Sequence, residues 1–235
     1  MGFFPDFISV LKKRELVFIE SRKEADEVYS FLFEKADDLT WKAGQYGLFS
    51  IAHKSVKNAT RPFSLASAPA ENVVRITTVV REQPSEFKQA LLELNPGMKV
   101  KMSGPLGAFN LQDSSPSLLV AGGIGITPFR SIVKQIEAEG NKGGRQIQLL
   151  YMDSGKSYVF RDELDRAADG AWLRVAYLDK RDDLRQELDK FSGFHGNSGS
   201  YLIAGSKSFV KSIAGDLKDK GIAKGQIKKD SFFGY

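Results

Sequence analysis

Leu118-Leu119-Val120-Ala121-Gly122-Gly123-Ile124-Gly125-Ile126-Thr127-Pro128 passes from an apolar run directly into a cluster of glycines, after which Phe129, Ile132, Val133 and Ile136 recur on one helical face. This pattern predicts a buried strand, a tight turn and a helix. Glycine lets a backbone turn sharply and approach a pyrophosphate, while the free N–H groups and positive end of the following helix attract its charge. Gly123 and Gly125 fit the G-x-G-x-x-G dinucleotide loop, but Pro128 occupies its third glycine position. The stretch therefore reads as a variant dinucleotide loop carried by Gly123, Gly125, Thr127 and Pro128, with a packing turn as the other reading.

Strands and helices alternate from this point onward. Strands are expected at 117–121, 146–152, 172–177, 200–204 and 226–232, and helices to 139, at 159–168, near 184–191 and at 208–220. Such alternation implies a parallel sheet covered by helices on both faces, a Rossmann-like α/β domain. Upstream the texture is different. Six short stretches rich in β-branched and aromatic residues, 15–22, 27–34, 45–51, 62–67, 73–81 and 99–103, suggest an antiparallel β-barrel interrupted by one helix at 86–94. The polar segment Asp113-Ser114-Ser115-Pro116 separates the two textures, so domains are expected at 1–113 and 114–235.

Composition narrows the field. At 235 residues, with 42% hydrophobic and 27% charged residues, the chain can bury ordinary globular cores. It contains no Cys, which removes disulfides, thiolate zinc sites, catalytic thiols and cysteine-ligated iron–sulfur clusters. The two histidines, His53 and His195, lie in polar surroundings, and no spacing suggests a metal. The longest stretch poor in charge, 111–129, holds Gln, Ser, Pro and Gly, so no apolar bilayer span is expected. Lys12, Lys13 and Arg14 follow an apolar start, the reverse of a signal peptide, and a cytoplasmic protein is expected. The net charge of +5 suits phosphate-bearing ligands or an acidic partner. Basic and acidic residues interleave along 180–190 and 218–229, without the single-sign stripe of a nucleic-acid binder.

Asp153 ends the second strand of the α/β domain, where a carboxylate can accept hydrogen bonds from an adenosine ribose and repel a 2′-phosphate. That favours NADH. Lys156, Lys180 and Arg181 offer cations for a 2′-phosphate instead, and Asp153 can simply cap the next helix, so NADPH stays open.

Arg61-Pro62-Phe63-Ser64-Leu65-Ala66-Ser67-Ala68-Pro69 places an Arg and a hydroxyl three residues apart on a strand, ahead of a small-residue turn. With Gly122-Gly123-Ile124-Gly125-Ile126-Thr127-Pro128 it resembles the ferredoxin–NADP reductase-like flavoproteins. Further matches are Ala43-Gly44-Gln45-Tyr46, Ser103-Gly104-Pro105-Leu106-Gly107-Ala108-Phe109, Phe160-Arg161-Asp162-Glu163-Leu164 and Phe232-Phe233-Gly234-Tyr235. The resemblance covers essentially the whole chain. It implies an FAD-binding barrel and an NAD(P)-binding domain, with NADH or NADPH as the electron donor.

By that resemblance Arg61 pairs with the flavin pyrophosphate, Pro62 and Phe63 flank the flavin, and Ser64 lies beside its N5 as a catalytic residue. Phe63 stands where many relatives have Tyr. Thr78 and Val80 match backbone contacts to the ring and ribityl chain, and Ser85 a second pyrophosphate element at a helix head. Tyr235, also counted as catalytic, or Phe232 would place an aromatic ring against the flavin. Gly205 and Ser206 match the segment facing the nicotinamide, where Ala204 replaces the family's frequent Cys. The implied reaction passes hydride from NAD(P)H to FAD and on to an external acceptor such as a ferredoxin, a flavodoxin or another redox partner. The other reading is a non-catalytic nucleotide-sensing or electron-relay subunit.

Overall fold

The computed structural model describes residues 12–232. The chain divides into two compact units whose boundary in sequence falls between Asn110 and Leu111. In the first unit, β1 (Lys13–Ala25), β2 (Val28–Glu34), β3 (Tyr46–Ile51), β4 (Thr60–Ser64), β5 (Val73–Val79) and β6 (Lys99–Leu106) form one antiparallel sheet in the order β4-β3-β6-β1-β2-β5. The strands curl around Leu16, Phe18, Phe31, Phe33, Phe49, Ile76, Val100 and Met102, all buried. Phe18 meets Phe33 edge-on at 5.7 Å. Each fully buried Phe contributes about 2–3 kcal/mol.

The two edges of this sheet are tied to each other. Ala66 N–H donates to the Arg75 carbonyl at 2.7 Å, and Arg75 N–H donates to Ser67 Oγ at 3.0 Å. The buried Arg75 guanidinium bonds Ser30 Oγ at 2.9 Å and pairs with Glu24. Ser30 and Thr77 share a hydroxyl hydrogen bond of 2.7 Å. Here the expected strand 62–67 differs from the observed one. β4 ends at Ser64 because Leu65 N–H turns to the Gln45 carbonyl at 2.9 Å and Ala66 N–H turns to β5. Among the described residues of this unit, the α-helix is α1 (Glu86–Leu92), which buries Phe87, Ala90 and Leu91.

The second unit carries a parallel sheet of β7 (Ser117–Gly122), β8 (Ile147–Met152), β9 (Leu173–Leu178), β10 (Ser200–Ser206) and β11 (Ile227–Phe232), in the order β11-β10-β7-β8-β9. The helices are α2 (Ile126–Ala138), α3 (Arg161–Ala168), α4 (Arg181–His195) and α5 (Lys207–Asp219). Leu118, Val120, Leu150, Tyr201 and Ile203 face one side, where Leu184, Leu188, Val210, Ile213 and Leu217 of α4 and α5 cover them. Leu119 and Ala121 alternate to the other side, toward α2 and α3. Sequential strands proceed from β7 to β9 on one side and return to β10 on the other. The reversal therefore falls between β7 and β10, where ligands of open α/β sheets bind at the carboxyl ends.

Two helices depart from the sequence expectation. α4 is longer than its apolar positions suggested, because Asp182 and Asp183 suit its first turn, His195 its last, and Gly196 at φ +50° stops it. α3 begins two residues late because Phe160 adopts φ +66° and Val159 N–H donates to the Tyr151 hydroxyl at 3.2 Å. Among the described residues no helix is long and apolar enough to cross a membrane.

Candidate functional site

In the first unit, three of the sequence motifs converge on Gln45. Its backbone carbonyl accepts from Leu65 N–H at 2.9 Å, just beyond Ser64. Its side-chain amide accepts from Lys42 N–H at 2.8 Å and donates to the Gly107 carbonyl at 2.9 Å. Tyr46 pairs with Ser64 on one side and Leu106 on the other. Gly107, at φ +92°, lets the Tyr46 ring pass 3.1 Å from where a Cβ would stand. Ser64 is thus set at the end of β4, 9% exposed, by backbone pairing with Tyr46.

Arg61 and Pro62 are exposed on the edge strand β4, opposite Phe49 and Leu48. Phe63 is half-buried, edge-on to Phe49 at 5.9 Å and stacked on Phe87 at 5.7 Å, so its ring is already engaged in packing. Thr78 and Val80 are buried on and just after β5. Ser85 caps α1, accepting from Lys88 N–H at 3.4 Å. Lys88 is the informative neighbour. Burial first, then the charges of Arg81 and Arg61, push its ammonium below the ordinary lysine range. Arg61, Arg81 and Lys88 thus stand close enough to feel one another's charge.

In the second unit the carboxyl edge of the sheet collects the remaining candidates. Gly123 takes φ +53°, a backbone that suits glycine, at the turn between β7 and α2. A Cβ on Gly125 would stand 2.2 Å from the Ala204 carbonyl oxygen and 2.8 Å from Gly205 Cα. One on Gly122 would stand 2.8 Å from the Phe209 ring. Gly205, at φ +154°, would bring a Cβ to 3.1 Å from the Gly122 carbonyl oxygen. Glycines 122, 125 and 205 thus let β7, β10 and α5 approach closely. Thr127 Oγ1 donates to the Ile124 carbonyl at 3.1 Å, and Pro128 lies buried in the first turn of α2.

Ser206 caps α5, accepting from Phe209 N–H at 3.2 Å, and pairs in register with Phe232 at the end of β11. Asp153 Oδ1 accepts from Gly155 N–H at 2.8 Å and Ser157 N–H at 3.4 Å, holding the loop after β8. Tyr235 lies outside the described residues.

Some relevant residues were not singled out from sequence. Arg81 and Lys88 join Arg61 only through the fold, and nothing local marks them. Arg130 is another: 3% exposed on α2, it pairs with Glu163 of α3 at 2.7 Å and its guanidinium lies 5.1 Å from the Phe160 ring. The Phe160–Leu164 motif thus clamps the helix of the glycine loop. Asp179 is the last, paired with Lys156 at 2.9 Å.

An antiparallel six-stranded sheet in the first unit and, in the second, a parallel α/β sheet with a glycine loop at its strand-order reversal give a two-part fold. Residues 119–214 match the oxidoreductase NAD-binding domain model. The chain is 27% identical over 240 residues to Flavohemoprotein A of Dictyostelium discoideum, covering 93% of this chain and 60% of that protein. It is 29% identical over 195 residues to ferredoxin–NADP reductase B of Sorangium cellulosum, covering 80% and 74% respectively. Among solved structures, the ferredoxin NADP+ reductase of Neisseria gonorrhoeae with bound FAD and NADP superposes with a TM-score of 0.78 at 19% identity, covering 94% of this chain and 99% of that one. Residues 119–214 thus carry an oxidoreductase NAD-binding domain, and the chain as a whole is similar to ferredoxin–NADP reductases and flavohemoproteins. It spans about 60% of the length of the flavohemoproteins it matches.

Proposed function

We propose that the protein is an NAD(P)H-dependent flavin oxidoreductase that passes electrons from a nicotinamide nucleotide, through FAD, to a separate acceptor. The observation that carries this reading is the joint presence of two anion-matched sites, the Arg61, Arg81 and Lys88 cluster of the first unit and the glycine loop of the second. FAD supplies the step between two-electron hydride chemistry and the acceptor; the protein supplies binding, orientation and polarity.

Arg61 holds the flavin pyrophosphate, with Arg81 and Lys88 adding charge and Ser85 a hydroxyl. Ser64 keeps a hydrogen bond at the flavin N5 position, and Pro62, Thr78 and Val80 border the ring and ribityl chain. With its ring against Phe87, Phe63 supports this site by packing. Gly123, Gly125, Thr127 and Pro128 receive the dinucleotide pyrophosphate, and Asp153 its adenosine ribose. Gly205 and Ser206 border the nicotinamide end; of the two aromatic candidates, Tyr235, the first, lies outside the described residues, and Phe232 is the second.

The acceptor is an external carrier such as an acidic ferredoxin or a flavodoxin, which the net charge of +5 and the lack of Cys support. A cytoplasmic setting belongs to the same reading, supported by a sequence without Cys.

The purified protein is expected to be yellow, with flavin absorbance that bleaches on anaerobic addition of NADH or NADPH and returns with an artificial acceptor. A colourless folded protein that neither FAD nor FMN reconstitutes would end this reading. Bound cofactors without turnover would support a relay or sensing subunit instead. Ser64→Ala should slow single-turnover flavin reduction by about 10- to 100-fold with little loss of bound flavin. An unchanged reduction rate would refute the assignment of Ser64.

A further inference from the structure

The strand register places three residues side by side at the carboxyl edge of the parallel sheet. Ala121 pairs with Tyr151 and Tyr151 with Tyr177, and two residues further along each strand's chain stand Gly123, Asp153 and Asp179. A Cβ on Gly123 would lie 3.9 Å from Asp153 Oδ2, so the Asp153 carboxylate borders the glycine loop. Asp153 N–H donates to the Leu178 carbonyl at 2.9 Å, which keeps Asp179 beside it.

Lys156 sits at the tip of the loop that Asp153 braces, with φ +57° and its N–H donating to the Asp153 carbonyl at 3.1 Å. It is the nearest cation in sequence to a ribose held by Asp153. Its ammonium, however, lies 2.9 Å from Asp179 Oδ2. The contact raises the Lys156 ammonium above the ordinary lysine range and holds the Asp179 carboxyl below the ordinary carboxylate range, with Lys180 adding to the latter. The two charges neutralise each other and leave Asp153 facing the loop.

We propose that Asp179 is a specificity-determining residue, which favours NADH over NADPH by holding Lys156 away from the ribose 2′ position. This rests on the reading that the second unit binds a nicotinamide dinucleotide at its glycine loop. A 2′-hydroxyl can donate to Asp153, whereas a 2′-phosphate meets that carboxylate with its neighbouring ammonium already engaged. Lys156 is largely exposed and Asp179 half-buried, so the pair is modest in strength and the discrimination it controls is of the order of tenfold rather than thousands-fold.

The test uses isothermal titration of the purified full chain with two probes, 5′-AMP and 2′,5′-ADP. The wild-type protein is expected to bind 5′-AMP at least as tightly as 2′,5′-ADP. Asp179→Asn should tighten 2′,5′-ADP by about tenfold while changing 5′-AMP less than about twofold. Adding Lys156→Ala to Asp179→Asn should abolish that gain. An unchanged 2′,5′-ADP affinity in Asp179→Asn, or a gain that survives loss of Lys156, would overturn the proposal. If wild-type protein binds neither probe, the dinucleotide reading itself falls and takes the inference with it, an outcome separable from equal binding in wild type and variant.

Discussion

Gly125→Ala is expected to destabilise the second unit by at least about 3 kcal/mol, lowering its melting temperature by roughly 10 °C. The backbone of Gly125 is ordinary helical, φ −59°, so the cost is steric and not conformational. The added methyl would stand 2.2 Å from the Ala204 oxygen and 2.5 Å from its carbonyl carbon. Those atoms belong to β10, which pairs with both β7 and β11 and cannot withdraw without shifting the middle of the sheet. Any relaxation would also displace Gly123 and the head of α2, so weaker nucleotide binding should accompany the lower stability. Gly215→Ala is the internal control. Gly215 lies within α5 with nothing within 4 Å of its Cβ position, and alanine there should be neutral or stabilising by up to about 1 kcal/mol. Thermal unfolding followed by circular dichroism distinguishes the two. A Gly125→Ala protein that melts with the wild type would show that the close approach of α2 to β10 is not real.

Arg61→Ala is expected to weaken flavin binding by about 100-fold, the size of a lost charge-assisted bidentate contact. Arg61 is exposed on β4, so its removal should leave the fold of the first unit intact. Arg81→Ala and Lys88→Ala should each cost less, because they add charge around the same anion rather than a planar donor fork. All three affinities should fall as salt rises. Equilibrium dialysis with absorbance of the retained flavin measures each loss. Retention of flavin by Arg61→Ala at wild-type affinity would overturn the pyrophosphate assignment and leave the cation cluster as a solvated face.

Much of this was readable before any coordinates. The glycine loop lies in one contiguous stretch, and a strand, a turn and a helix within about twenty residues carry their own periodicity. The same holds for the Arg61–Ser64 segment. What escaped the sequence were partners distant along the chain. Lys88 and Arg81 gain meaning from Arg61 only when α1 and the end of β5 are brought beside β4. Arg75, one Arg among many in the sequence, is a buried strut joining β5 to β2 and to Ser67. Element ends also moved where tertiary bonds overrode local pattern, as at Ser64 and Phe160. That Phe63 also packs on Phe87 was another such partner, invisible along the chain.

Local residue order determined that this protein has an aromatic-rich antiparallel half and a βα-alternating half, with a glycine-rich turn in the second, because hydrophobic period and glycine placement act over a few residues. Tertiary structure alone decided that Gly125 serves the contact with β10 and that Lys156 answers to Asp179 instead of standing open to a phosphate. The reason is geometric. Parallel strands bring together residues separated by a whole crossover helix, and neither the distance nor the charge of such a neighbour is written in the residues on either side.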